Sequence, residues 1–347
     1  MKRLAWFVVQ RSEVMKLLVS RPFPGRAVDF LRERGYELTV LDDGRAQGVF
    51  KEKLAETDGV IAMLSDSLPA TTLASCRNLK AIANYAVGYN NIDLNACTSA
   101  GIVVMNTPDV LADATADIAM LLLLLVVVVV VVVVHRAPEA MRFLADGKFT
   151  GWKPEFLLGR DLKSKTLGIL GMGRIGKAVA RRAESFGMKV LYHTRYRAKA
   201  DLPWPRVSFD GLLSESDVLS LHLPLTDSTR HLIGAVQLGK MKEGAVLVNT
   251  SRGSIVDEGT LVEALRSEHL FGAGLDVFEE WPKVNPRLWQ LPNVVLLAHI
   301  ASGTLETRPE MGTTKATSLN EALSGKHASN TVNPEVYSSE VWQSRQT

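Results

Sequence analysis

Short runs of β-branched and other apolar residues alternate along this chain with longer stretches of helical periodicity. The first series of runs lies at residues 17–19, 59–62, 81–83 and 102–105. A second series follows the loop 147–161, at 166–170, 189–192, 218–221, 245–249, 274–277 and 294–298. Strand and helix in alternation predict parallel sheets joined by crossover helices, an α/β chain, and six strands in the second series suit a doubly wound domain. Neither a repeat nor a Pro-rich linker separates the two series. The boundary is therefore expected where the chain crosses along its most apolar segment. That segment, 118–134, is uninterrupted apolar sequence ending in nine consecutive valines, 126–134. Its length touches the lower limit for a bilayer span. It has no second span and no flanking anchors, and α/β patterning continues on both sides, so a helix buried between domains or subunits is the preferred reading. Valine is a mediocre helix former, and no function is placed on the tract. Residues 1–14 carry basic residues and an apolar patch too short for a secretory core, and are read as an extension before the strand that Met15 opens.

The composition is that of an ordinary globular protein. Over 347 residues, 46% apolar and 22% charged positions exclude disordered, collagen-like and disulfide-stapled classes. A net charge of +3, spread along the chain, gives neither a nucleic-acid footprint nor a membrane anchor. Cys76 and Cys97 are too few for a disulfide framework or a Cys-rich metal site, which suits reduced thiols in a cytoplasmic protein. No metal site is expected.

The sharpest motif is Gly171-Met172-Gly173-Arg174-Ile175-Gly176, directly after an apolar strand and opening a helix expected to run through Phe186. At such a turn Gly171 permits the tight bend, Gly173 lets a pyrophosphate approach the backbone, and Gly176 permits close packing of helix on strand. The helix N-terminus favours the anion. Thr194 stands eighteen residues after Gly176, where an NAD-selective protein carries an acid for the ribose hydroxyls. The hydroxyl residue is followed by Arg195 and Arg197, a pattern suited to a 2′-phosphate, so NADP(H) is preferred and NAD(H) remains open. Two solvated surface arginines are the plainer alternative.

With these motifs go Tyr85-Ala86-Val87-Gly88-Tyr89-Asn90-Asn91-Ile92-Asp93, Asn106-Thr107-Pro108, Ala114-Thr115-Ala116-Asp117, His222-Leu223-Pro224-Leu225-Thr226, Val248-Asn249-Thr250-Ser251-Arg252-Gly253 and Gly274-Leu275-Asp276-Val277. In that order they make the chain, from Met15 to about Pro334, resemble the D-2-hydroxyacid dehydrogenases, and within them the glyoxylate and hydroxypyruvate reductases. The resemblance implies two Rossmann-like domains, with a doubly wound cofactor domain, 114–302, inserted into a flavodoxin-like substrate domain, 15–113 and 303–335, and a tail at 336–347. It implies a homodimer, a small 2-keto or 2-hydroxy acid as substrate, and no nucleic-acid or membrane partner. It also implies cofactor contacts from Thr115, Arg174, Ile175, Leu223, Pro224, Thr229, Thr250 and Asp276, the last at the nicotinamide carboxamide. A turn or helix cap is the plain alternative for Asp276.

Reducing a 2-keto acid by hydride builds negative charge on the carbonyl oxygen and requires a proton donor and a fixed carboxylate. Arg252 follows the strand 245–249 at the carboxyl edge of the sheet, and its planar fork suits a carboxylate and the neighbouring oxygen. Val87 and Gly88 match the family's loop whose N–H groups hold that carboxylate, and glycine there lets it approach. His299, past the strand 294–298, matches the proton donor. The departure is at the third catalytic position, because family members read Asp-Val-Phe-x-x-Glu-Pro and this chain has Trp281 before Pro282. An indole has one donor and no acceptor, so it cannot support an imidazolium as a carboxylate does, and a lower histidine pKa and impaired activity are expected. Glu280 reaches the site only if the loop shifts register. Ala298, where the family commonly has Pro, is a milder departure. The leading expectation is an NADPH-dependent reductase of glyoxylate or hydroxypyruvate. The alternatives are a catalytically impaired dinucleotide-binding regulatory or scaffold protein on the same fold, or a phosphite- or formate-type dehydrogenase.

Overall fold

The computed structural model describes residues 14–42, 47–127, 143–152, 154–155, 161–195 and 201–345. The N-terminal extension before Val14, most of the valine tract and Arg197 lie outside them. The chain forms two compact units, one of Met1–Val110 with Leu305–Thr347 and the other of Leu111–Thr304.

The first unit holds β1 (Lys16–Val19), β2 (Glu37–Val40), β3 (Gly59–Ala62), β4 (Ala81–Asn84) and β5 (Val103–Met105). All its pairs are parallel and the order is β2-β1-β3-β4-β5, the flavodoxin-like arrangement. The sequence pattern missed β2, whose exposed and half-buried residues alternate at the sheet edge. β3 and β4 are buried throughout, as strands covered on both faces must be. The C-terminal segment completes the unit: the helix Thr307–Leu323 packs on β3 and β4. The buried Asn333 amide then takes the Val104 N–H at 2.8 Å and donates to the Ile102 carbonyl at 2.9 Å. The free Cys76 and Cys97 are both buried here, and burial pushes the Cys97 thiol up to about 12.

The second unit holds β6 (Thr166–Leu170), β7 (Lys189–His193), β8 (Val218–Leu221), β9 (Ala245–Asn249), β10 (Leu270–Leu275) and β11 (Val294–Leu296), ordered β11-β10-β9-β8-β6-β7. A parallel bridge from Tyr192 to Arg206 adds one residue of a further strand beyond β7, which completes the doubly wound Rossmann order. The expected strand at 274–277 begins four residues earlier and ends at Leu275, and the one at 294–298 stops at Leu296. Successive residues of β9 serve opposite layers. Val246 and Val248 pack with Leu122, Leu123 and Val179 of the helices Ala112–Val127 and Arg174–Ser185, whereas Leu247 packs with Leu212, Leu261 and Leu265. The apolar helix thus starts at Ala112, before the expected 118, and is described to Val127. Among the described residues no helix is long and apolar enough to cross a membrane, and no cluster could hold a metal ion.

Lys315, on the helix Thr307–Leu323, is fully buried and its Nζ has no hydrogen-bond partner among the described residues. Burial holds its pKa well below the ordinary lysine value. The unfolded chain therefore binds a proton there that the folded chain does not, and stability rises with pH up to the ordinary lysine range. Lys315→Met is expected to stabilise the protein by about 1–3 kcal/mol near neutral pH, and to remove the rise in Tm that the parent shows between about pH 7 and pH 10. Thermal unfolding across that range checks both.

Candidate active site

In the second unit the order of strands reverses between β6 and β8, and ligands of such sheets bind at the carboxyl ends of the strands flanking that switch. The turn after β6 is built for close approach. Gly171 has φ +100°, and a Cβ there would sit 2.5 Å from the His222 carbonyl oxygen at the end of β8. A Cβ on Gly176 would strike the Gly171 carbonyl, so the helix Arg174–Ser185 can start only where both positions lack side chains. Gly173 is its N-cap, and a Cβ built on it meets nothing within 4 Å. Arg174 is exposed and Ile175 packs partly into the core. An open glycine at a helix N-terminus, with strand ends on both sides, fits a dinucleotide pyrophosphate.

Beyond β7, the Thr194 carbonyl accepts from Arg206 Nη2 at 2.9 Å, and Arg195 donates to Ser228 Oγ at 3.3 Å. Ser228 also meets Thr226 Oγ1 at 3.1 Å, and Thr229 Oγ1 donates to the Pro224 carbonyl, which orders the loop that begins at His222-Leu223-Pro224. Arg206 and Ser228 were not singled out from the sequence. The signal was their hydroxyl and guanidinium chemistry, hidden by separation in the chain. Burial pulls the His222 imidazole down to about 4, so it stays neutral, with Nε2 2.8 Å from Ser220 Oγ. Thr115 is buried in the helix Ala112–Val127. Thr250, just after β9, is buried, and its hydroxyl has no hydrogen-bond partner among the described residues.

Arg252 follows two residues later. Asn249 organises its turn: the amide donates to the Arg252 carbonyl at 2.9 Å, while its carbonyl oxygen takes both the N–H (3.0 Å) and hydroxyl (2.8 Å) of Ser251. Arg252 is half-buried, donates to the Ser251 carbonyl at 2.7 Å, and desolvation lowers its pKa while leaving it a cation. The next residue, Gly253, abuts the backbone of Phe278 and Glu279 so closely that a Cβ would overlap it. Asp276, fully buried at the end of β10, accepts the N–H groups of Ile300 (2.8 Å) and Ala301 (2.9 Å) through its two carboxylate oxygens. It therefore holds the turn that carries His299, whose φ is +55°.

Trp281 stands against that histidine, ring centroids 6.0 Å apart and planes at 85°. Glu280 is exposed. Its neighbour Glu279 is tied on both sides, by its own N–H to Glu258 Oε1, by its carboxylate to the Glu258 N–H and His231, and by its carbonyl to the Ser254 hydroxyl, so a register shift that brought Glu280 to the position of Trp281 would break four hydrogen bonds.

Val87 and Gly88 belong to the first unit, after β4. Their carbonyls accept from Asn106 Nδ2 and Asn84 Nδ2, each at 2.8 Å. No acceptor among the described residues takes either N–H, which leaves two donors for an anion.

Comparison with known proteins decides the family. The model of the D-isomer specific 2-hydroxyacid dehydrogenase NAD binding domain matches residues 127–301. The chain is 44% identical over 333 residues to a glyoxylate reductase of Thermococcus litoralis, covering 93% of this chain and 98% of that one. It belongs to the D-isomer specific 2-hydroxyacid dehydrogenases. A glyoxylate reductase of Aeropyrum pernix is 45% identical over 293 residues, covering 82% of this chain and 85% of that protein. Among solved structures of similar fold, a Thermus thermophilus protein gives a TM-score of 0.84 at 43% identity, covering 92% of this chain and all of that one. The NADPH-dependent glyoxylate/hydroxypyruvate reductase of Sinorhizobium meliloti, in complex with NADP and malonate, gives 0.82 at 33%, covering 92% and 97%. As in the rest of this family, the described Rossmann unit is a nicotinamide-dinucleotide-binding domain of an oxidoreductase.

The abutment of Gly253 on Phe278 yields a direct expectation. Gly253→Ala should lower stability by about 2–4 kcal/mol by forcing the two turns apart, and activity should fall further than global unfolding accounts for. Denaturant titration alongside turnover measured well below the transition separates the two effects.

Proposed function

We propose that this dehydrogenase reduces small 2-keto acids, glyoxylate and hydroxypyruvate, to the D-2-hydroxy acids with NADPH in preference to NADH. The observation that carries the reading is one sheet edge holding a half-buried arginine, Arg252, and a histidine, His299, on turns tied to each other through Asn249, Gly253 and Asp276. The glyoxylate reductases among its relatives support the substrate class. The reduced nicotinamide supplies the hydride. The residues do the rest. The Arg252 fork binds the keto acid carboxylate and the oxygen beside it. In the first unit, the Val87 and Gly88 N–H groups suit a carboxylate. His299 gives its ring proton to the oxygen on which charge develops. Thr194, Arg195, Arg206 and Ser228 take the 2′-phosphate, and the absence of an acid at position 194 removes the repulsion that would exclude it. The open Gly173 takes the pyrophosphate, while Thr250 and Asp276 lie at the nicotinamide end. Exposed Leu121, Leu144, Phe149 and Trp152 suit a homodimer.

A second reading has one observation in its favour. The Trp281 indole, with no acceptor, faces His299 where a carboxylate would help it keep its proton, as expected of a protein that binds the cofactor and has lost efficient turnover. Reduced-nicotinamide oxidation with glyoxylate and hydroxypyruvate separates the two. Arg252→Ala and His299→Ala are each expected to lower kcat/KM by about 10²–10⁴, and Trp281→Glu to raise kcat by about tenfold or more. Turnover that appears only with Glu at 281 would favour the second reading. Arg195→Gln should raise KM for NADPH by about tenfold and leave that for NADH unchanged, since only the 2′-phosphate interaction is lost.

A further inference from the structure

Glu279 sits at the crossing of three segments, none of which gives it a role in the chemistry above. Its Oε1 lies 2.5 Å from His231 Nε2, its Oε2 accepts the Glu258 N–H at 3.1 Å, and its own N–H donates to Glu258 Oε1 at 2.6 Å. Its carbonyl accepts from Ser254 Oγ at 3.2 Å. Glu258 is buried at the start of the helix Glu258–Arg266, and Ser254 lies in the single turn Gly253–Ile255 that follows Arg252. His231 closes the loop after β8, where its N–H donates to the Ser254 carbonyl at 2.8 Å and the next strand-like residue, Ile233, bridges to Val256. One carboxylate and its backbone therefore join the loop of Thr226, Ser228 and Thr229, the turn of Arg252, and the loop that carries Trp281 two residues on. Apart from the His231–Glu279 pair, the links of Glu279 join a side chain to a backbone group, and all run between segments distant in sequence. A surface ion pair would need none of them. Helix-capping would need one.

We infer that Glu279 and Glu258 are positioning residues, a reciprocal clasp that fixes which side chain position 281 presents to His299 and keeps that loop in register with Arg252. The inference rests on the proposed reductase reading for its kinetic consequence, though not for its structural one. The clasp works through oxygen acceptors, so glutamine at position 258 retains it and alanine does not. It acts on the loop of Trp281, and Glu258 has no part in the link to His231, so loss of the Glu258 carboxylate lowers kcat while the affinity for NADPH stays. The benefit of a carboxylate at 281 also depends on the clasp, because a loop free to shift would no longer hold that carboxylate against His299.

The test uses the full-length protein and four variants, Glu258→Ala, Glu258→Gln, Glu279→Ala and Trp281→Glu, with Glu279→Ala also combined with Trp281→Glu. Expected are a fall in kcat of tenfold or more for both alanine variants, with KM for NADPH within about twofold in Glu258→Ala, and recovery to within about threefold of the parent in Glu258→Gln. In the double variant the gain from Trp281→Glu should disappear. In parallel, amide hydrogen exchange of the peptide spanning 277–282, read by mass spectrometry, should speed by at least tenfold in the alanine variants while peptides of β6 and β9 keep their protection. An additive double variant, or a Glu258→Gln variant as impaired as Glu258→Ala, would overturn the clasp. Exchange that speeds equally throughout the unit would also overturn it, since it reports general destabilisation. If no variant turns over any keto acid, the reductase reading fails by itself, and the exchange of 277–282 alone decides the clasp.

Discussion

The turn after β9 can reach the loop after β10 only because position 253 carries no side chain. With Gly253 lying on the backbone of Phe278 and Glu279, the Arg252 turn and the Phe278 loop behave as one body, and the hydrogen bonds around them hold a separation that sterics has already set. Buried polar groups at the ends of neighbouring strands extend the same body. Asn249 at the end of β9 satisfies Ser251 and the Arg252 carbonyl, and Asp276 at the end of β10 satisfies two N–H groups beyond His299. Both polar side chains are buried and every side-chain nitrogen and oxygen of each takes part in a hydrogen bond, which lets such groups specify one geometry rather than weaken the fold. His299 has a positive φ, which a β-carbon residue adopts at a cost of about 1–3 kcal/mol, and the Asp276 carboxylate is what offsets it.

The switch point organises the dinucleotide side by a similar economy. The Gly171 turn is pressed on the His222 carbonyl, so the loops after β6 and β8 share a wall, and farther along the loop after β8 Ser228 meets Arg195 beyond β7. His222, kept neutral by burial, adds no positive charge to that wall. The cationic character of this end of the sheet then comes from Arg195 and Arg206 rather than from a histidine whose charge would follow pH.

Strands covered on both faces were legible because their residues are apolar without interruption. β6, β8 and β9 run over the very residues that the pattern marks. The edges were not. β2 reads Glu-Leu-Thr-Val, with half its residues in solvent, and β10 contains Gly272 and Gly274, which weaken a strand signal and shifted its expected start. The glycine turn and the arginine and histidine at strand ends were legible because their chemistry is concentrated in a few adjacent residues. Arg206, Ser228 and the Glu258–Glu279 clasp were not, because each becomes meaningful only through a partner distant in the chain that the fold brings to it. Lys315 was invisible for a different reason. A lysine on a helix of low amphipathicity reads as a solvated charge, and only the packing of that helix on β3 and β4 buries it.

Trp281 sets the geometry of a position apart from its chemistry. An edge-to-face aromatic pair contributes about 0.5–1.5 kcal/mol, comparable with the weaker end of the about 1.5–3 kcal/mol for a hydrogen bond to a charged group. The indole can therefore hold the His299 ring in place nearly as firmly as a carboxylate would. What it cannot do is distinguish the two states of the ring. A carboxylate binds the protonated imidazole far better than the neutral one, and so loads the proton donor. An apolar ring, 43% exposed and with one N–H to offer, stabilises both states to a similar extent. Orientation and preference for the protonated ring, which one carboxylate would supply together, are thus separable contributions, and the aromatic pair of Trp281 with His299 supplies the first.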